Sequence, residues 1–301
     1  MLNVSTSYDL SRQIFGNGDI IDEVQNPTTS VDPRLEESLR DDNYFIVFDD
    51  VPVLASQKVQ GDKYAFPNPT LNHLFLARTL KEQGIQAQEV IDLGCGTGFL
   101  GCYSARHLGP RKITFADIHP LAIAQAVFSY NLGSEQSIED IPGLRKIAVN
   151  LIAAINSGKR KSLDDILVRR DQDIDFVLGP APLSFEGYEP GDDTVVLSAP
   201  MFIPGVCDVF PKAYIFFAET AADLGKPIYF GHSNLSTPLV RDAAQRKGMQ
   251  YEQLNQERGP LITEYTGVGT QLSRGELLRL GAEEKEGNLY HELTVSRLSP
   301  Q

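Results

Sequence analysis

The sequence predicts an α/β protein: a doubly wound, mostly parallel seven-stranded sheet preceded by a small β-containing N-terminal module. Three observations predict it. Short apolar stretches alternate with segments of helical spacing from residue 70 onward, a glycine-rich loop joins one such strand to one such helix, and an acid ends the strand that follows. In an open α/β sheet that loop and that acid share the crevice beyond the carboxyl ends of the strands, where ligands bind.

The elements read as follows. Polar, turn-rich residues with Gly16-Asn17-Gly18-Asp19 and Asn26-Pro27 open the chain, and a short helix is expected over Leu35 to Leu39. Tyr44 to Phe48 and Val51 to Leu54 read as two strands joined at Asp49-Asp50. These define an N-terminal module over residues 1–62, with a ligand-binding domain over 63–301. Leu71, Leu74, Phe75, Ala77 and Leu80 recur at helical spacing behind a Thr70 N-cap. Strand Glu89 to Leu93, helix Phe99 to Leu108, strand Ile113 to Ala116 and helix Leu121 to Leu132 follow. A helix is expected over Ile141 to Asn156, and no third strand is found in this stretch. Ile174 to Leu178 is therefore read as the fourth strand, ended by Gly179-Pro180-Ala181-Pro182. Helix Pro211 to Leu224, strand Pro227 to Phe230, helix Pro238 to Lys247 and a late antiparallel strand Tyr290 to Val295 complete the reading.

Composition excludes several classes. Hydrophobic residues make up 42% and charged residues 22% of 301, as in a soluble globular protein. There is no apolar run of about eighteen residues and no secretory signal, so a cytoplasmic protein without a membrane span is expected. Cys95, Cys102 and Cys207 form no C-x-x-C pair and read as small buried residues, and the scattered histidines suggest no metal site. The net charge of −13 disfavours a nucleic-acid partner, since such partners are held by phosphate neutralisation. The one dense basic cluster, Lys159-Arg160-Lys161, reads as a solvated helix end.

The chemistry centres on Asp92-Leu93-Gly94-Cys95-Gly96-Thr97-Gly98. Gly94, Gly96 and Gly98 remove side chains where backbone must approach a ligand closely, and the helix start that follows offers free amide groups. Gly96-x-Gly98-x-x-Gly101 also fits a dinucleotide fingerprint, which keeps an NAD(P) oxidoreductase open as an alternative. Asp92 inside the strand argues against it. Asp117, ending the next strand, is placed to accept hydrogen bonds from both ribose hydroxyls in either type of site.

Val90 to Gly101, together with Asp117-Ile118-His119-Pro120-Leu121-Ala122, resembles the class I S-adenosylmethionine-dependent methyltransferases, which share a Rossmann-like fold. Within them it is similar to the branch of protein glutamine-N5 and ribosomal-RNA guanine methyltransferases, whose proline-containing segment is echoed by Phe66-Pro67-Asn68-Pro69-Thr70. The resemblance implies S-adenosyl-L-methionine as cofactor. It implies that Gly94, Cys95, Gly96 and Gly98 line its methionine and ribose portions. Asp92 would act on its amino group through the loop or a water. Asp117 would hold the ribose, Ile118 would stack near the adenine, Asp164 is the candidate for contacting the adenine amino group, and Gly179 is a further cofactor-binding candidate. Tyr64 and Phe66 are lid candidates.

One departure limits the acceptor. Where amide- and amine-methylating relatives carry Asn-Pro-Pro-Tyr after the fourth strand, the expected place here holds Pro180-Ala181-Pro182-Leu183. The planar-amide acceptor is missing, so Glu186 and Tyr188, with Ser184 and Glu189 beside them, become the expected base or anchor. His232 and Asn234, after the fifth strand, read as turn and capping residues. The expected reaction is methyl transfer to an N or O atom of a small molecule. A protein side chain as acceptor, or a non-catalytic cofactor-binding scaffold, stands as the alternative. Oligomeric state is not legible.

Overall fold

In the computed structural model the described residues are 6–7, 43–49, 51–56, 69, 71–118, 120–132, 173–179, 183–200, 211–261 and 273–301. Two sheets are present. The smaller is antiparallel and three-stranded, from β1 (Thr6–Ser7), β2 (Asn43–Phe48) and β3 (Val51–Ser56), all within the first 62 residues. Helix α1 (Leu71–Glu82) then leads into the main sheet.

The main sheet contains β4 (Glu89–Leu93), β5 (Lys112–Asp117), β6 (Asp173–Leu178), β7 (Thr194–Ser198) and β8 (Ile228–Ser233), all parallel. Their order in space is β6-β5-β4-β7-β8. β11 (Asn288–Pro300) adds antiparallel to β8, and both β9 (Met249–Pro260) and β10 (Glu283–Lys285) pair antiparallel with β11. Among the described residues the sheet has eight strands, one more than expected. Glu286 and Gly287, both at positive φ, form the tight turn that lets the three-residue β10 fold back on β11.

Helices cover both faces, which is why the parallel strands are buried along their whole length. α2 (Phe99–His107) and α3 (Pro120–Leu132) pack on β4 and β5 from one side, with β3 docked on them from outside. α4 (Pro211–Asp223) and α5 (Thr237–Arg246) join the other core, where Ile91, Leu93, Val196, Phe230 and Leu298 meet Tyr214, Ala218, Val240 and Ala243. α6 (Arg274–Leu280) begins with a full capping box between Ser273 and Glu276. α1 crosses β8 so closely that a Cβ on Gly231 would lie 2.5 Å from the Asn72 carbonyl oxygen.

Four of the described strands were not expected from the sequence, the short β1 and β10 and the more consequential β7 and β9. β7 sits at the centre, between β4 and β8. Its five residues follow a Gly- and Asp-rich turn, which hid the short Val195-Val196-Leu197 run. Among the described residues Ile174 to Leu178 is consequently the third parallel strand of the main sheet and the last in its order, a correction to its reading as the fourth. β9 is polar along its length, with Gln250, Glu252, Gln253, Gln256, Glu257 and Arg258 exposed. Pairing with β11, not hydrophobic alternation, makes it a strand. The helices expected over 35–39 and 141–156, the Thr70 cap, Tyr64, Phe66, the Lys159–Lys161 cluster, Asp164, Pro180–Pro182 and Cys207 lie outside the described residues.

Candidate functional site

The glycine loop leaves the carboxyl end of β4 and enters α2. Gly94, Gly96 and Gly98 all have positive φ (68°, 51° and 78°), the left-handed region where an L side chain is strained. The Ala116 carbonyl accepts from both Gly94 N–H (2.8 Å) and Cys95 N–H (3.0 Å), and the Cys95 carbonyl accepts from Gly98 N–H (2.7 Å). The Asp117 carboxylate accepts from Gly96 N–H at 3.0 Å. β5 therefore shapes the loop with its last carbonyl but one and its terminal acid. Beside Asp117, Ile118 is 57% exposed, an unusual state for isoleucine that leaves an apolar surface at the crevice.

Asp92 lies elsewhere than the loop's open side. It is buried, and its Oδ2 accepts from Gly101 N–H at 2.8 Å. Gly98 at the helix N-cap has no side chain to cap α2, so the strand beneath supplies the acceptor. Burial above all, with some repulsion from Asp117, raises the Asp92 pKa to about 8, although the Gly101 N–H works the other way. A folded-state pKa above the unfolded value means that the native state holds a proton the unfolded chain releases, so stability falls as pH rises from about 4 toward 8. Asp92→Asn keeps an oxygen for Gly101 and removes the titration. Its melting temperature is expected to change less than the wild type's between pH 5 and pH 9 (~4 units spanning the transition). Parallel profiles would show Asp92 ionised in the fold. Cys95 and Cys102 are free, buried thiols whose pKa is pushed well up by burial, so neither is a nucleophile.

Glu186 and Tyr188, expected beside the methyl group, are not brought to the loop. The segment after β6 runs back along the sheet to the start of β7. Glu186 is exposed on it, and Tyr188 reaches the amino edge, opposite the crevice. There the Tyr188 hydroxyl donates to Glu89, the first residue of β4, and accepts from Lys112 Nζ (3.0 Å) at the start of β5. Gly179, at φ 144°, turns the chain at the end of β6, where a Cβ would press on Ser184. The place beside the glycine loop expected for Pro180-Ala181-Pro182 is held by Ser198-Ala199-Pro200 at the end of β7, the strand next to β4.

The Ser198 hydroxyl donates to the Leu93 carbonyl (2.7 Å), just before Gly94. The Pro200 carbonyl accepts from the buried Tyr214 hydroxyl of α4 (3.1 Å). Gly94 itself meets the Phe217 ring, whose Cζ would lie 2.9 Å from a Cβ at that position. These four residues escaped the sequence reading. The signal that would have found them is the strand required between β6 and the helix at residue 211. No asparagine or glutamine side chain replaces the absent amide at either strand end.

His232 is buried beneath this edge. Nδ1 faces the Ser233 carbonyl (2.8 Å), which only accepts, so Nδ1 carries the proton and Nε2 accepts from Ser296 Oγ (2.9 Å). Burial lowers its pKa to about 4 and keeps it neutral. Asn234 Oδ1 accepts from Glu292 N–H (3.0 Å), and Ser233 caps the short turn at Leu235. Both are structural, but neither does the turn and capping work expected of it: His232 lies within β8, the cap is Ser233, and the Asn234 side chain ties the turn to β11. Among the described residues no three His, Cys, Asp or Glu gather as metal ligands, and no helix is long and apolar enough to cross a membrane.

Residues 72–141 match the family described as the methyltransferase small domain. A Methanobrevibacter smithii protein named as a cobalt-precorrin-6B C(15)-methyltransferase (decarboxylating) is 31% identical over 119 residues, covering 38% of this chain and 60% of that relative's length. Among solved structures, a precorrin-6y C5,15-methyltransferase from Geobacter metallireducens is 9% identical, covering 74% of this chain and 87% of that one at a TM-score of 0.38. TYW2 from Pyrococcus horikoshii, in complex with MeSAdo, is 11% identical, with 87% and 73% covered and a TM-score of 0.45. Trm5b from Pyrococcus abyssi is 13% identical, with 85% and 56% covered and a TM-score of 0.41. The matched domain covers residues 72–141 alone, and around it the strand order and the left-handed glycine loop resemble those of the class I S-adenosylmethionine-dependent methyltransferases. The cofactor of that class is S-adenosylmethionine, and the side-chain-free loop with Asp117 and the bare Ile118 face fits such a nucleoside.

Proposed function

We propose that the chain transfers a methyl group from S-adenosylmethionine to a small-molecule acceptor. The observation that carries this reading is the left-handed Gly94–Gly98 loop, held by the Asp117 carboxylate that accepts from Gly96 N–H at the end of the next strand. Gly94, Cys95 and Gly96 would bear the methionine arm, Asp117 the ribose hydroxyls and Ile118 the adenine face. When bound, the cofactor supplies an electrophilic methyl; this chain's residues orient it and keep the loop from collapsing. Methyl transfer is an in-line displacement, so positioning contributes much of the rate.

A small acceptor is favoured over nucleic acid by charge. The net charge is −13, and the sequence following β7, residues 201–210, carries Asp208 and no lysine or arginine. For the atom methylated, a carbon is the reading with most support. The Ser198 hydroxyl and the Pro200 carbonyl are both engaged within the protein, which favours a nucleophile that needs no base from them. The curated relative is named for methylation at carbon. An electron-rich unsaturated ring would meet that requirement, losing its proton after the carbon–carbon bond forms. The N or O acceptor is the competing reading.

Calorimetry with S-adenosylmethionine and S-adenosylhomocysteine tests the site directly. Both should bind the wild type, and Asp117→Asn should weaken both by about 10- to 100-fold, as expected for loss of hydrogen bonds to a charged group. Methyl-¹³C transfer into fractionated cell extract then separates the outcomes. Label in small molecules, with the carbon shift of a C-methyl, supports the proposal. Label in protein, or binding without any S-adenosylhomocysteine formed, refutes it in favour of a protein acceptor or a scaffold.

A further inference from the structure

We propose that the ring of Phe217 walls the place of the cofactor's sulfonium, so that this residue makes the site prefer the charged cofactor over its neutral demethylated product. The inference rests on the methyltransferase reading above and assigns a specificity role to a residue of α4.

The position of the ring follows from the helix that carries it. Tyr214 is fully buried, its hydroxyl ties α4 to the Pro200 carbonyl, and its ring packs edge-on against Phe230 at 5.4 Å. Ala218 and Ala221, both buried, let the helix lie close to the sheet. Three residues beyond Tyr214, Phe217 then reaches the carboxyl end of β4. A Cβ on Gly94 would lie 2.9 Å from its Cζ and 3.2 Å from its Cε2. The contact therefore exists only because residue 94 lacks a side chain. Phe217 is partly buried against the core, leaving part of its surface open.

The same loop is held by a carboxylate: Asp117 accepts from Gly96 N–H, while the buried Asp92, beneath the start of α2, keeps its proton and adds no charge. An electron-rich ring face attracts a cation within about 6 Å, most strongly where water is excluded. A sulfonium is such a cation; the thioether left after methyl transfer has the same nucleoside and no charge. A ring that only fills space treats the two alike, whereas a ring that binds charge distinguishes them.

The test is calorimetry on the full chain with S-adenosylmethionine and S-adenosylhomocysteine. Mono-, di- and trifluorinated phenylalanine at position 217 withdraw electron density from the ring while nearly preserving its shape. Affinity for S-adenosylmethionine is expected to fall stepwise, by about three- to tenfold across the series, while affinity for S-adenosylhomocysteine stays within about twofold. Phe217→Leu, with its melting temperature measured alongside, should show the same split. Parallel losses for the two ligands, or no loss for either, overturn the proposal. A wild type that binds neither ligand overturns the cofactor reading itself, and is seen before any variant is made.

Discussion

Replacing Gly98 by alanine is expected to destabilise the protein by about 3 kcal/mol, combining a left-handed backbone with overpacking. Gly98 has φ 78°, and a Cβ there would lie 2.5 Å from Ala126 Cβ, 2.6 Å from Ala126 Cα and 3.1 Å from Phe115 Cε1. The second of these atoms is backbone of α3, which cannot turn aside as a side chain would. Gly84 provides the internal control. Its φ of 64° is similar, but nothing lies within 4 Å of a Cβ, so Gly84→Ala should cost only about 1 kcal/mol of backbone strain. Urea unfolding of the two variants separates strain from close packing. Equal shifts in midpoint would mean that α3 yields freely, and that Gly98 is present only for its dihedral angle.

The second large effect is expected at the opposite edge of the sheet, where Glu89 joins the starts of β4, β5 and β7. It accepts from Tyr188, from Gly191 N–H (2.9 Å) and from Thr194 Oγ1 (2.9 Å), and pairs with Lys112 Nζ (2.9 Å). Burial opposes its charge, but Lys112 and the three hydrogen-bond donors prevail and hold its pKa at about 2. Glu89→Gln leaves Lys112 without its counter-ion and should cost about 3 kcal/mol at neutral pH. The sign of the pH dependence follows. A folded pKa below the ordinary 4.5 gives stability that is present above that value and lost as pH falls toward about 2. The gap between wild type and Glu89→Gln in thermal unfolding should therefore narrow on acidification from pH 6 to pH 3 (~3 units across that window). A gap that stays constant would show that the carboxylate is stabilised equally in the unfolded chain. Cofactor affinity, measured where both proteins are folded, should be nearly unchanged, because this network lies away from the crevice.

The cofactor half of the proposed site was legible in the sequence, as far as its backbone goes, because its physics is local. A buried strand, three glycines at alternate positions and an acid one strand later specify a backbone path through residues close together in the chain. The bounds of β4 match the reading residue for residue, and those of α2, β5 and α3 fall within one residue of it. Even so, proximity in sequence did not reveal what Asp92 does. Its carboxyl group serves the N–H of Gly101, a role visible only once α2 stands over β4.

The acceptor half was not legible, for a reason of topology. β7 is five residues long and central, buried on both sides by neighbours contributed from distant segments. With no polar alternation and little length, it offered weak evidence of its own, and β6 took its place in the reading. That single displacement carried Glu186 and Tyr188 to an imagined site and left Ser198, Pro200, Tyr214 and Phe217 out of it. β9 shows the same limit from the other side: a polar sequence becomes a twelve-residue strand because β11 offers it a full ladder of partners.

The amino-acid order alone thus determined the class of fold, the glycine loop and the acid that completes it, since these depend on contacts between chain neighbours and adjacent elements. Only the folded sheet decided which strand stands beside that loop, and therefore which side chains can face an acceptor. Strand order is settled by burial and hydrogen bonding between segments far apart in the chain, and no local pattern records it.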